Sequence, residues 1–286
     1  WEKRGSCEKV LYVGTEQTIS EIQTLILAYI SGINEEKILY GRYNEEEKKV
    51  LEETLRVMEI YKENFTIVQL PDPSIQLVKG TIRKECLLKD IGYVFYDYIF
   101  SSPGLLSEFR DLRIREDVAL GMLSTALKDL AVELDVFMRS ATQVNGDLQE
   151  IKGIRDQRCI RGAKAIADKI DCGMVTAKVN QQELITLDKL IKERGIRPNQ
   201  VSDIYKMRRG RYNDVRIWSE MDLGTCRIKD LFITDVDFKP IEDFFPITIA
   251  YDEWEEDITS LLTTLNIETG EIIEEPIVET VAPMIE

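Results

Sequence analysis

The sequence contains no histidine, and its five cysteines lie far apart. Without histidine, the chain has no imidazole for general acid–base chemistry or for binding a metal. No Cys-x-x-Cys pair is present, so neither a disulfide framework nor a zinc site is expected. Such spacing is typical of reduced thiols in a cytosolic protein. The cysteines are Cys7, Cys86, Cys159, Cys172 and Cys226.

Basic residues are absent after Lys239, although residues 240–286 include thirteen acids. The formal net charge of the 286-residue chain is −15, which by itself argues against binding to a polyanion. Residues 1–239, however, hold all 37 basic residues and 39 of the 52 acidic residues, a net charge of −2. We therefore predict a body of residues 1–239 and an acidic tail of residues 240–286. Such tails are usually solvated interaction segments.

Long apolar runs are missing as well, because no uncharged stretch approaches the ~18 residues that span a membrane. The N-terminal residues are not followed by the apolar segment of a signal peptide. We therefore expect no membrane partner and a cytoplasmic location. A hydrophobic content of 44% is enough for a sizeable core. Since the chain starts with Trp1 and a predicted strand follows within ten residues, we expect a fragment of a longer protein.

Short apolar runs alternate with amphipathic segments along the body, which predicts alternating strands and helices. The central runs are apolar on both faces, a pattern typical of a parallel sheet covered by helices on both sides. Two later runs, 201–207 and 215–223, predict a β-hairpin that completes the sheet. We therefore predict an α/β fold with ligands at the carboxyl ends of its strands. The predicted strands before the hairpin include residues 9–13, 65–70, 93–99 and 136–143.

Two carboxylates lie where predicted strands end. Asp97 is in the apolar run 93–99, where a buried carboxylate is costly unless it is paired or bound to a cation. In nucleotide-hydrolysing P-loop proteins such an aspartate holds magnesium, but capping of the next loop explains it equally well. Glu16 lies just beyond the run 9–13. It is placed to orient a water for attack on a phosphate, or it is an ordinary acid near a helix N-terminus.

The predicted strand that ends near Gln143 leads into a basic loop of residues 146–164. A glutamine at a strand end can sense a γ-phosphate, although an ordinary polar strand end would look the same. The loop has a net charge of +2, which suits a phosphate backbone, and loops of this length are usually functional. The alternative is a mobile surface loop with solvated charges. Its bases are Lys152, Arg155, Arg158, Arg161 and Lys164.

Four bases stand within six residues where the predicted hairpin turns, in the segment Lys206-Met-Arg208-Arg-Gly-Arg211. Such a cluster at a sheet edge would attract an anion from a neighbouring molecule. An arginine finger supplied in trans is one example. Positive charge also protects an edge strand from aggregation, and that explains one or two of the four bases.

Six segments follow one another in the order found in a known family, although none of them is specific alone. They are Val10-Leu-Tyr-Val-Gly-Thr-Glu16, the pair 28–34 and 41–47, Val94-Phe-Tyr-Asp-Tyr-Ile99, Ser140-Ala-Thr-Gln-Val-Asn145, 161–171 and Lys206-Met-Arg-Arg-Gly210. Together they resemble the C-terminal RecA-like ATPase domain of DnaB-type replicative DNA helicases, especially phage-encoded ones. The resemblance covers residues 8–235.

The resemblance implies a hexameric ring that unwinds duplex DNA at a replication fork as it moves on single-stranded DNA. It implies ATP and Mg²⁺ as cofactors, and primase and a helicase loader as further partners. By the same resemblance, Asp97 holds magnesium, Glu16 polarises the attacking water and Gln143 reports the γ-phosphate. Lys206 and Arg208 would reach the ATP of the neighbouring subunit.

The resemblance also assigns the basic loop to the central channel of the ring, where it would follow the DNA backbone without reading bases. Arg161, Gly162 and Lys164 match the family's contact positions. We add Arg155 and Arg158 as further DNA contacts because they belong to the same loop.

One part of the family pattern is missing, because the sequence has no Gly-Lys dipeptide and hence no G-x-x-x-x-G-K-[ST] phosphate loop. In the family this Walker A loop precedes the strand that ends near Glu16. The chain is then either a fragment, inactive alone, or a degenerate paralogue. The intact Glu16, Asp97, Gln143 and Arg208 favour the fragment. Two alternative functions stay open: a RecA or RadA-type recombination ATPase and a non-catalytic DNA-binding adaptor.

Overall fold

A computed structural model describes residues 9–110, 114–144, 153–160, 164–209 and 212–241. The predicted acidic tail lies outside these residues except for its first two positions. Part of the basic loop, including Arg161 and Gly162, also lies outside them, as do Gly210 and Arg211 in the predicted turn.

A parallel four-stranded sheet forms the first part of the body, which confirms the α/β prediction. The register places Gly14 beside Asp97. The carboxyl ends of the two central strands therefore meet at one edge of the sheet, the usual place for a ligand. In spatial order the strands are β2 (Phe65–Gln69), β1 (Val10–Gly14), β3 (Tyr93–Ile99) and β4 (Phe137–Thr142).

Helices connect the strands, and several of them begin at a residue whose side chain caps the first turn. The α-helices are α1 (Ile19–Ser31), α2 (Glu35–Leu39), α3 (Glu45–Ile60), α4 (Ile75–Lys89), α5 (Pro103–Ser107), α6 (Glu116–Glu133), α7 (Lys164–Lys169), α8 (Gln181–Thr186) and α9 (Asp188–Arg194). Asn44, the N-cap of α3, accepts a hydrogen bond from the Glu47 amide over 2.8 Å. The Glu47 carboxylate bonds back to the Asn44 amide, which completes a capping box. No helix of the described residues is long and apolar enough to cross a membrane.

One face of the parallel sheet is buried against α4 and α6. Leu11 and Val13 of β1 are fully buried and pack with Ile82 of α4 and Leu130 of α6 in the main hydrophobic core. Each such side chain contributes about 1.5–3 kcal/mol relative to an exposed one. Tyr12 lies between the two β1 residues and points to the opposite face, because strand side chains alternate. It is only partly buried.

A second four-stranded sheet is antiparallel and separate from the first. Two strands of this sheet form the predicted hairpin. The hairpin does not complete the parallel sheet as predicted, because the short links on either side of β7 favour antiparallel neighbours. Fully buried Trp218 gives the second sheet its own core, with its ring centroid 6.0 Å from that of Phe232. The strands are β5 (Cys172–Lys178), β6 (Gln200–Met207), β7 (Val215–Asp222) and β8 (Arg227–Asp235).

Candidate functional site

A cleft of about 260 Å³ opens at the edge of the parallel sheet where β1 and β3 end. Glu16 and Asp97, the two carboxylates predicted from the sequence, both line it. Asp97 belongs to β3 and Glu16 to the turn after β1, and the parallel register brings the carboxyl ends of the two strands together. The other lining residues are Tyr12, Gly14, Gln17 and Tyr98.

Asp97 is held in place by residues of β1 and the turn after it. The Tyr12 hydroxyl donates a hydrogen bond to Asp97 Oδ2. The Thr15 amide and hydroxyl donate to the Asp97 carbonyl oxygen over 2.8 and 3.0 Å. The peptide bond between Asp97 and Tyr98 is cis. Burial, together with the bond to Asp97, raises the pKa of Tyr12 well above its usual range, so this phenol remains protonated and remains a donor.

A chain of hydrogen bonds joins Glu16, Tyr98 and Gln143. The Tyr98 hydroxyl donates to Glu16 Oε1 over 2.6 Å, and Gln143 Nε2 donates to the Tyr98 oxygen over 2.9 Å. The bond to Glu16 and partial burial raise the pKa of Tyr98, so its hydroxyl keeps the proton that it donates. The structure thus connects the predicted water-orienting carboxylate with the predicted γ-phosphate sensor.

The two tyrosines of this site were missed by the sequence analysis. Both stand in apolar strands, where a tyrosine looks like a core residue. For Tyr98 a signal was present, because it directly follows Asp97 near the carboxyl end of a predicted parallel strand, where ligands bind. For Tyr12 the sequence has no comparable signal, since its contact depends on the register between β1 and β3.

Lys206 and Arg208 do not line the cleft but lie at the end of β6 in the second sheet. Lys206 Nζ donates to the carbonyl oxygens of Ala167 and Asp168 over 2.6 and 3.3 Å, which satisfies acceptors at the end of α7. Arg208 Nη1 donates to Asp171 Oδ1 over 2.9 Å. Since the Arg208 side chain is 50% exposed, it is accessible to another molecule.

The described part of the basic loop presents Arg158 to solvent. The Arg158 side chain is 68% exposed, and its Nε donates to Asp156 Oδ1 over 2.9 Å. Arg161 and Gly162 lie outside the described residues, and only the backbone of Lys164 is described, at the start of α7. Within the described residues, Arg158 is therefore the predicted DNA contact that is open to a strand.

Arg155 is buried, which corrects its predicted role as a DNA contact. It is 2% exposed. Its Nη1 lies 2.9 Å from Asp203 Oδ2, and its Nη2 lies 2.7 Å from Glu183 Oε1. Arg216 approaches Asp203 from another side, with its Nε 3.2 Å from Oδ1. The Arg155 guanidinium thus joins the basic loop to the second sheet and is not presented to a DNA strand.

The cleft has the donor set that magnesium uses. Among the described residues no three acidic or cysteine side chains form a ready-made metal site. Magnesium does not require one, because it usually keeps several waters and binds one or two protein carboxylates. Asp97, fixed at a strand end beside Glu16, meets this requirement. The phosphates of a nucleotide would also need the backbone amides of a phosphate loop, which this sequence does not contain.

A family model described as the DnaB-like helicase C-terminal domain matches residues 2–223. An uncharacterised SPbeta prophage-derived protein of Bacillus subtilis (strain 168), YorI, is 37% identical over 244 residues. The matched region is 83% of this chain but 48% of YorI, so the chain spans about half the length of this curated relative.

Two solved structures share the fold. One is described as an ATPase domain, and the other is a DnaB-like replicative helicase described with its interactions with primase. Each aligns with 78% of this chain at a TM-score of 0.61 and 16% identity. The aligned region is 75% of the first protein and 51% of the second. At this identity the likeness shows the fold alone, a RecA-like α/β fold.

Proposed function

Because this chain belongs to the family of DnaB-like helicase C-terminal domains, we propose that it is most of the motor domain of a ring helicase. The ring would be a hexamer that unwinds DNA with ATP as it moves on single-stranded DNA. The observation that carries the proposal is the cleft in which Glu16 and Asp97 lie together. The hydrogen bonds of Tyr98, the residue after Asp97, to Glu16 and Gln143 also support the proposal.

The residues of the cleft have separate roles in this proposal. Asp97 holds magnesium, whose charge stabilises the phosphates when it is bound, and Tyr12 fixes the carboxylate that does so. Glu16 accepts a hydrogen bond from the attacking water and orients it. Gln143 contacts the γ-phosphate at the start of the basic loop. Arg208, together with Lys206, comes from the neighbouring subunit.

We propose that a phosphate loop reaches this site on a further strand that pairs with β4. Among the described residues β4 is an outer strand of the parallel sheet, and Phe137 at its start is 57% exposed. An edge strand presents backbone groups with which another strand can pair, and Phe137 offers that strand an apolar contact.

Glu16→Gln tests the hydrolysis site in the complete gene product. We expect DNA-stimulated ATP hydrolysis to fall about 10²-fold, because an amide is a much weaker acceptor for the water's proton. Nucleotide binding should persist, since glutamine keeps the size of the side chain. Steady-state hydrolysis and binding of a fluorescent nucleotide measure the two effects. Glu45→Gln, on an exposed position of α3, is the control, and a Glu16→Gln variant that is as active as this control would refute the assignment.

The basic loop is tested by the salt dependence of binding to single-stranded DNA. We expect Arg158→Ala to reduce the slope of log K against log salt concentration by about 0.7–1, the value of one lost phosphate contact. Fluorescence anisotropy of a labelled oligonucleotide at several salt concentrations gives the slope. Arg115→Ala is the matched control, because Arg115 is also exposed and bonds an aspartate two residues on, Asp117, but lies outside the loop. Equal slopes in the two variants would show that Arg158 does not contact a DNA phosphate.

The missing Gly-Lys dipeptide favours a second candidate, a DNA-binding adaptor that does not use ATP. The upstream genomic sequence separates the two, because a G-x-x-x-x-G-K-[ST] motif in frame would exclude the adaptor. Electron micrographs of the complete protein would separate a closed hexamer from a RecA-type filament.

We propose primase and a helicase loader as further partners, supported by the DnaB-like helicase whose structure is described with primase. The acidic tail 240–286 is proposed as a separate segment for protein contacts that also discourages DNA from binding outside the channel. Both proposals place the protein in the cytoplasm, with the DNA.

A further inference from the structure

We propose that Tyr98 is a positioning residue that couples the sensor Gln143 to the water-orienting Glu16, an inference that rests on the proposed function. Its hydroxyl donates to Glu16 Oε1 over 2.6 Å and accepts from Gln143 Nε2 over 2.9 Å. A phenol has one proton, so the two bonds run in one direction, from Gln143 through Tyr98 to Glu16. Hydrogen bonds in such a chain polarise one another, so a change in one bond is felt in the next.

Tyr98 itself is anchored, whereas its two partners are exposed. The Tyr98 amide donates to the hydroxyl of buried Thr15 over 3.1 Å. Its ring packs against Phe100, with ring centroids 5.5 Å apart. Exposed glutamate and glutamine side chains have several rotamers available. The fixed Tyr98 hydroxyl selects the rotamers in which Glu16 and Gln143 both point to it.

The orientation of the Glu16 carboxylate therefore depends on what the Gln143 amide contacts. When the Gln143 amide turns toward a phosphate, its bond to Tyr98 is lost and the Tyr98–Glu16 bond changes with it. Without the hydroxyl, the hydrogen bonds that connect the two side chains would be lost. The carboxylate would lose its orientation, and the sensor would lose its link to the hydrolysis site.

Tyr98→Phe removes the hydroxyl and keeps the ring, and Tyr96→Phe is a matched control on the same strand. The Tyr96 hydroxyl is buried and has no hydrogen-bond partner among the described residues, so its removal should have little effect. In the complete gene product, we expect Tyr98→Phe to lower kcat for ATP about tenfold with an unchanged KM, the loss typical of one bond to a charged group.

A second measurement does not depend on turnover. We expect the affinity for single-stranded DNA to differ between the ADP state and the state with a non-hydrolysable ATP analogue, and Tyr98→Phe to remove most of this difference. Because Gln143→Ala acts through the same chain, the Tyr98→Phe/Gln143→Ala variant should lose no more of the difference than the more severe single variant. A midpoint temperature of thermal unfolding close to that of the wild type shows that each variant is folded.

Two results would overturn the coupling. One is a Tyr98→Phe protein with the same kcat and the same nucleotide-dependent DNA affinity as Tyr96→Phe, while Glu16→Gln has lost most of its hydrolysis. That result would leave the proposed function intact. The other is additive losses in the double variant. A wild-type protein that shows no DNA-stimulated hydrolysis would instead refute the proposed function, and the coupling with it.

Discussion

Replacement of Arg208 by alanine is expected to lower ATP hydrolysis by the complete protein about 10³-fold without preventing nucleotide binding. An arginine supplied in trans stabilises charge that develops on the transferred phosphoryl group, so its loss affects the reaction far more than the binding of ATP. In this chain Arg208 is half exposed and does not line the cleft that contains Glu16 and Asp97. Single-turnover hydrolysis and nucleotide binding, measured on the same preparation, separate the two effects.

Asp171→Asn is the control for this prediction, because it removes the ion pair of Arg208, together with that of Lys128, and leaves the arginine in place. The partners of both pairs are about one-third to one-half exposed, so the loss of each pair should cost less than about 1 kcal/mol of stability. Hydrolysis by Asp171→Asn should therefore stay close to that of the wild type. If Asp171→Asn were as inactive as Arg208→Ala, Arg208 would act by holding its own subunit together.

Mixed rings test whether Arg208 acts across a subunit interface. Rings made of Glu16→Gln subunits alone or of Arg208→Ala subunits alone should each have the strongly reduced hydrolysis predicted above. In a mixed ring, some interfaces combine the intact Glu16 of one subunit with the intact Arg208 of its neighbour, because a closed ring joins subunits head to tail. Co-expressed subunits should therefore recover part of the activity. A mixed ring with no more activity than either variant alone would mean that Glu16 and Arg208 act in the site of one subunit.

Local patterns predicted the elements of the parallel sheet well. The strand 93–99 was predicted with its observed bounds, because it is a continuous apolar run. The N-cap of α3 is another local feature, because Asn44 precedes three glutamates, a pattern typical of a helix N-terminus. Pairing between strands was harder, since the sequence of β6 predicts a strand but not the sheet that the strand joins. The separate antiparallel sheet follows from which neighbours the chain can reach, and a single strand's sequence does not contain that information.

Long-range contacts decide the parts of the site that the sequence analysis missed. Tyr12 and Asp97 are 85 positions apart, and their bond exists only because of the strand register. Arg155 was predicted to be a DNA contact because it belongs to the basic loop. Its partners, Glu183 and Asp203, are 28 and 48 positions away. Charge alone does not tell whether an arginine is paired in the interior or exposed.

Arg155→Met is expected to destabilise the domain by about 3–5 kcal/mol, because it leaves buried Glu183 without the Arg155 guanidinium and buried Asp203 with Arg216 alone. Asp203 is fully buried and Glu183 is 6% exposed. Burial already raises the pKa of Asp203, although Arg155 and Arg216 oppose this shift. Loss of Arg155 would favour the neutral, protonated form of Asp203 further. Denaturant unfolding followed by tryptophan fluorescence measures the effect, since buried Trp218 lies in the same sheet as Asp203.

Arg158→Met is the matched control, because it makes the same substitution three residues later at a side chain that is 68% exposed. Its effect should stay below about 1 kcal/mol. Adding Glu183→Gln to Arg155→Met should restore part of the lost stability, because one unpaired charge is removed and glutamine can still complete the cap of α8. An Arg155→Met protein as stable as Arg158→Met would contradict the buried ion-pair network.

The two arginines also separate a structural role from a DNA contact. Arg155 anchors the end of the basic loop to β6, the strand that carries Lys206. Below its unfolding transition, Arg155→Met should therefore keep the wild-type salt dependence of DNA binding, while Arg158→Ala loses part of it. If Arg155→Met lowered the slope by the same ~0.7–1 as Arg158→Ala, its guanidinium would have to leave Asp203 and bind a phosphate. The buried pair would then be a resting state that DNA opens.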